Sequence, residues 1–134
     1  MNIIICLDTK NGMAFNRRRQ SRDRCVIADM EKSIPNAEIL ASSYSKPLFE
    51  GGNLKVKYSD NYLDTATDED YCFVEREQLC PYKDKISTVT VYRWDKAYPA
   101  DVTLDLPLDS MKAVSTAELE GYSHKKIIKE IYTK

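Results

Sequence analysis

Few residues in this chain are placed to do chemistry, and the first is a carboxylate. Ser21-Arg22-Asp23-Arg24 opens an amphipathic segment in which Asp23 shares one narrow helical sector with Val26, Ile27, Met30 and Ile34. A carboxyl on that apolar face would be desolvated, which raises its pKa and makes it a proton donor. The competing reading is an acidic residue in the first helical turn that complements the macrodipole and caps orphan N–H groups. Around it Arg17, Arg18, Arg19, Arg22 and Arg24 form the only strong charge cluster. Guanidinium groups match phosphate and carboxylate geometry, so the run is a candidate clamp for a small anionic ligand. Contact with a nucleic-acid backbone is a weaker reading of the same run, and the plainest is a solvated loop partly paired with Asp23, Asp29 or Glu31.

Other chemistries lack their parts. His124 is the single histidine, on an expected turn with Gly121 and Ser123, and no acid or nucleophile is identifiable beside it. It is therefore not read as part of a triad. Ser42, Ser43 and Ser45 form no nucleophile elbow. Cys6, Cys25, Cys72 and Cys80 make no CxxC pair, and three lie in apolar runs, as reduced core thiols would. One histidine and no paired ligand spacing argue against zinc and against multi-histidine metal hydrolases. Tyr92 and Trp94 are candidates either to line a ligand cleft or to fill the core.

The scaffold that must position these groups is bounded by composition. A chain of 134 residues fits one domain, spanning 1–134, and buries roughly two-thirds of its unfolded surface. Charged residues make up 31% and hydrophobic ones 43%, which favours neither disorder nor membrane insertion. A net charge of −1 provides no overall field for nucleic acid or anionic lipid, so nucleic acid is the weaker partner reading. No apolar run reaches the ~18 residues of a membrane helix. Met1 to Leu7 lacks the basic start and length of a secretory signal, and the expected location is the cytoplasm.

Apolar runs alternate with polar connections from end to end. Ile3 to Leu7 is continuous and aliphatic, as a strand covered on both faces would be. Asn11-Gly12 marks a turn in the connection from Asp8 to Asn16. Ser21 is expected to cap a helix from about Arg22 to Lys32, ended by Pro35-Asn36. Strands are expected at Glu38–Ala41, Lys55–Tyr58, Tyr71–Val74 and Ser87–Trp94. Short helices are expected at Ser42–Phe49, closed by Gly51-Gly52, and from Ser59 to Ala66, and a short helical or turn segment, interrupted at Pro81, at Glu77–Tyr82. Val102, Leu104, Leu106 and Leu108 alternate like a half-buried strand, with Pro107 at its end. Lys126 to Tyr132 fits a helix or a strand. The order implies an α/β fold: a mixed, mostly parallel sheet with flanking helices and later antiparallel strands.

Several segments in this order resemble dihydrofolate reductase. They are IIICLD with a following NGM loop, the helix SRDRCVIADM, EILASS leading into a short helix, and YCFVE. The segment VTVYRWDKAYPADVTLDLPL is similar to that family's penultimate strands, and MKAVSTAELEGYSHKKIIKEIYTK to its closing hairpin. The resemblance implies that Asp23 corresponds to a carboxylate facing a pterin, and that Arg17 to Arg19 lie in the active-site loop. It also implies a cofactor side that this sequence does not keep. Where the family has a Gly-Gly pair after the strand matching Tyr71–Val74, this chain has Glu75 and Arg76, read as a charged strand end with Glu77. A glycine–arginine phosphate contact is replaced by Ser42-Ser43, a Pro-Trp in the loop by arginines, and a threonine near the buried acid by Tyr92. A carboxylate at position 75 repels phosphate, so no cofactor is expected and NADPH is disfavoured.

The functional expectation is a diverged domain that binds a small anionic or heterocyclic ligand or acts without catalysis. Asp23 is its catalytic candidate, and Arg17, Arg18, Arg19, Ile27 and Tyr92 are its ligand-binding candidates. If the chain is an enzyme, a pterin- or pyrimidine-type reductase with altered cofactor contacts is the first alternative. A nucleic-acid-binding module using Arg17 to Arg19 is the second.

Overall fold

A computed structural model describes residues 1–34 and 37–134. Its centre is the strand expected from the aliphatic run, β1 (Asn2–Leu7). β1 pairs in parallel with β6 (Tyr71–Val74) on one side and β7 (Thr88–Arg93) on the other. Successive side chains of β1 enter opposite cores. Ile3, Ile5 and Leu7 pack with Val89, Val91 and Cys72, while Ile4 packs with Val26, Met30, Phe73 and Trp94. Burial on both faces is why this strand reads as an unbroken apolar run.

Outward from β6 lie β4 (Glu38–Ala41) and β5 (Lys55–Tyr58), both parallel. Beyond β7 the direction reverses in β10 (Ile127–Thr133) and again in β9 (Lys112–Leu119). The seven-stranded order is β5-β4-β6-β1-β7-β10-β9, mostly parallel with a C-terminal antiparallel hairpin, as expected. A second, three-stranded sheet joins β2 (Gly12–Phe15) to β3 (Arg18–Arg19) and β8 (Val102–Thr103). It occupies part of the stretch read as a connection.

Helix α1 (Arg24–Ser33) starts later than expected. Its cap is Asp23, not Ser21, because the Asp23 backbone is extended and its side chain accepts from Cys25 N. The expected end at Pro35-Asn36 lies outside the described residues. Helices α2 (Lys46–Phe49) and α3 (Tyr62–Thr65) are single turns, and Gly51 follows α2 at φ 78°. The expected Glu77–Tyr82 segment is a 3-10 helix displaced to Cys80–Lys85.

Two ambiguities resolve through distant contacts. The stretch Lys126 to Tyr132 is strand, because β10 fills the ladder between β7 and β9. The alternation from Val102 to Leu108 yields only the two residues of β8. Beyond it the Asp105 carboxylate accepts from the N–H groups of Leu79 and Cys80 at 2.8 and 3.0 Å. Leu106 and Leu108 are buried without joining a ladder. Of the cysteines, Cys72 is buried, Cys6 and Cys25 are half-buried, and Cys80 is exposed.

Candidate functional site

A cavity of about 680 Å³ opens at the C-terminal ends of β1, β6 and β7. In open α/β sheets ligands lie in such crevices, because loops diverge there and leave space above the strand ends. Cys6, Val74 and Trp94 supply the strand-end wall. The start of α1 and the segment around Gly51 supply the sides, with Val26, Ile27, Leu48 and Phe73 as the apolar lining. Arg22 and Arg24 also line it. Arg22 makes no ion pair among the described residues, whereas Arg24 lies 5.3 Å from the Tyr122 ring centre.

Asp23 lines this cavity, but its carboxylate is fully engaged. Oδ1 accepts from the backbone N–H groups of Cys25 and Tyr122 at 2.9 and 3.0 Å. Oδ2 accepts from the N–H groups of Ser123 and His124 at 2.8 and 3.1 Å. The His124 ring Nδ1 adds a further contact to Oδ2 at 2.9 Å. Burial by itself pushes this carboxyl up. The His124 ring and the backbone donors outweigh that effect and hold its pKa well below the usual carboxylate range. The raised pKa expected from the apolar face is thus reversed: the side chain is buried as an anion among N–H donors, and its capping role is the one realised.

His124 is not isolated, as the sequence suggested. With Nδ1–H facing Asp23, the single lone pair of Nε2 lies within hydrogen-bond distance of two hydroxyls, Ser21 Oγ at 2.9 Å and Tyr98 Oη at 3.1 Å. The Trp94 ring stacks on the imidazole at 4.5 Å, with planes 18° apart. Asp8, buried just after β1, organises the neighbouring loops. Its carboxylate accepts from Lys10 N, Gly12 N, Tyr98 N and Gln20 Nε2. Burial alone would raise the Asp8 pKa, and these donors lower it overall. Sequence reasoning missed Ser21 as a partner of His124. The two lie 103 residues apart, and neither has a local pattern announcing the other.

The arginine run divides. Arg17 and Arg18 are exposed and outside this cavity, although Arg18 borders a smaller cleft with Phe15 and Pro99. Arg19 reaches the main cavity but is held by Glu75, Nε to Oε1 at 2.7 Å and Nη2 to Oε2 at 3.1 Å. Ser45 Oγ donates to the same carboxylate at 2.7 Å. Arg76 lies 3.6 Å from the Tyr44 ring centre and donates to the Arg17 carbonyl at 3.1 Å. The expected continuous clamp of Arg17, Arg18 and Arg19 is therefore not assembled.

Of the remaining candidates, Ile27 lines the cavity and Tyr92 does not. Tyr92 is 1% exposed and donates its hydroxyl to Asp29 Oδ2 at 2.6 Å. It is a core residue, corrected from a ligand contact, because β7 turns it beneath α1. Cys6 is also on the cavity wall, but burial pushes its thiol up, so it stays protonated and a poor nucleophile. No cluster able to hold a metal occurs among the described residues, and no described helix is long and apolar enough to cross a membrane.

No family model matches the sequence, and no curated protein matches it. A solved structure does: the dihydrofolate reductase from Enterococcus faecalis complexed with NADP(H) and RAB-propyl. It is 11% identical at a TM-score of 0.63, with 98% of this chain and 94% of that chain covered. The chain has a dihydrofolate reductase-like fold.

Within this dihydrofolate reductase-like fold the end of β6 carries Glu75 and Arg76 where the resemblance implied a pair of glycines. Glycines there would leave backbone N–H groups approachable by phosphate. Glu75 instead places a carboxylate there and closes it with Arg19 and Ser45. Ser42 turns inward as well, its Oγ accepting from Tyr44 N at 3.0 Å. The residues present do not fit a dinucleotide pyrophosphate at these two strand ends.

Proposed function

We propose that this chain is a diverged dihydrofolate reductase-like domain that binds a small, flat heterocyclic ligand carrying an anionic group. Ordinary dinucleotide redox chemistry is absent from this reading. The observation that carries it is Gln20. Its Nε2 donates to Asp8 Oδ2 at 2.9 Å and to the Pro99 carbonyl at 3.3 Å, which fixes the orientation of the amide. Its Oε1 is then buried with no partner among the described residues, on a residue that lines the cavity. An unsatisfied buried acceptor costs roughly 1–3 kcal/mol. That oxygen is closed to solvent as it stands, and a ligand N–H, as in a lactam or aminopyrimidine edge, would recover the cost once the Gln20 side chain turns Oε1 towards the cavity. The apolar walls suit the faces of a ring, and the unpaired guanidinium of Arg22 suits a carboxylate or phosphate at the rim.

Trp94 is the single tryptophan and borders the cavity, so its fluorescence reports occupancy. Titration with folate, which joins a heterocycle to carboxylates, is expected to change Trp94 emission saturably, and NADPH is expected not to. Gln20→Leu and Arg22→Ala should each weaken folate binding about tenfold, one hydrogen bond or ion pair in each case. Absence of a saturable change in cooperatively folded protein overturns the proposal. NADPH oxidation with dihydrofolate, lost in Asp23→Asn, would replace it with the reductase reading.

A further inference from the structure

Ser21, His124 and Asp23 form a hydrogen-bonded relay. Ser21 Oγ lies 2.9 Å from His124 Nε2, and His124 Nδ1 lies 2.9 Å from Asp23 Oδ2. The acid and base are dry, with side chains 0% and 4% exposed, while Ser21 is half-buried and lines the cavity. This is the order a nucleophilic serine needs: a hydroxyl facing substrate, an imidazole behind it, and a carboxylate that fixes the ring tautomer. Five N–H groups hold Asp23, and Trp94 stacks on His124, so the base and its orienting acid are fixed in place. The backbone N–H groups of Arg22, Asp23 and Arg24 make no hydrogen bond among the described residues. They stand beside Ser21 in the chain at the start of the ten-residue α1, where N–H groups and the helix dipole favour negative charge.

We propose that Ser21 is a nucleophile for acyl transfer, with His124 as general base and Asp23 as its positioning residue. The substrate class is a small carboxylic ester or comparably activated acyl compound. Ser21 Oγ attacks the carbonyl carbon as its proton passes to Nε2. The tetrahedral intermediate collapses, the bond to the leaving oxygen breaks, and that oxygen takes the proton from Nε2. Water then attacks the acyl-serine carbonyl and gives its proton to Nε2. Collapse releases the carboxylic acid and returns the proton to Oγ. Tyr98 Oη shares Nε2 with Ser21, and a neutral imidazole nitrogen has one lone pair. Tyr98 therefore competes with the nucleophile for its base.

This inference rests on the cavity reading for substrate access only, and its readouts are separate from folate binding. With p-nitrophenyl acetate the full chain is expected to release a burst of about one nitrophenolate per protein, as an acyl-enzyme forms. Intact mass and peptide mapping should place the acetyl group on Ser21, and a fluorophosphonate should label the same residue. Ser21→Ala should lose burst and label while its melting curve stays cooperative. His124→Gln should slow acylation by about a hundredfold or more, the usual contribution of a general base. Tyr98→Phe should keep or increase the rate. Folded wild-type protein that gains no adduct on Ser21, or whose hydrolysis survives Ser21→Ala, overturns the proposal. Loss of folate binding with the burst retained would reject the heterocycle reading and leave this one standing.

Discussion

Two carboxylates belong to residues lining the same cavity, and they are neutralised in different ways. Glu75, at the end of β6, meets a guanidinium and a hydroxyl, and the guanidinium passes on only to the Tyr44 carbonyl at 3.3 Å. Asp23, at the start of α1, meets backbone N–H groups and an imidazole, and the imidazole passes the connection on to Ser21. A permanent cation produces a closed lock. A histidine leaves a second nitrogen free to act. The Glu75 side therefore ends in a paired carboxylate, while the Asp23 side leads through an imidazole to a hydroxyl.

The comparison breaks most visibly at Asp23. Asp23→Ala leaves its N–H donors without their acceptor and removes the helix cap, and should lower urea-measured stability by about 3–5 kcal/mol. The same group sets an acid limb. Its folded pKa lies below its unfolded value near 3.8, so its contribution is present above that value and is lost as pH falls towards the folded one. Wild-type stability should therefore drop below about pH 4. An Asp23→Asn variant that keeps the wild-type acid slope would show that the carboxylate is not held as described.

Gly121→Ala probes the same side sterically. An added Cβ would collide with the His124 carbonyl oxygen and lie 2.8 Å from Asp23 Oδ2. The loop must shift, at about 1–3 kcal/mol, and amide exchange at Tyr122 to His124 should accelerate.

The Glu75 side should respond more weakly. Glu75→Gln leaves Arg19, whose side chain is 21% exposed, able to reach water, for a loss of about 1–2 kcal/mol. Replacing Glu75 and Arg76 with glycine should also produce NADPH binding detectable by calorimetry. A double variant that stays silent would show that Glu75 and Arg76 are not what keeps NADPH out. The smallest change is Tyr92→Phe, which removes one hydrogen bond while Lys129 still pairs with Asp29 at 2.7 Å. Its cost should be about 0.5–1 kcal/mol in the same unfolding assay.

The sequence by itself determined the elements whose signal is local. The β1 run is apolar at every position because both faces are covered. The α1 stripe of Val26 and Met30 lies within one element, and Glu38–Ala41 and Tyr71–Val74 emerged with the expected bounds. The likeness in segment order also carried the fold. Tertiary structure alone decided whatever depends on partners far along the chain. β10 is a strand because β7 and β9 flank it, and the leucines after Val102 lose their ladder where Asp105 caps the 79–80 backbone. Asp23 was legible as an acid near a helix start. Its protonation was not, because four of its five N–H donors come from residues 122–124. Periodicity can report that a side chain is buried, but the charge it keeps there depends on which donors the fold brings to it.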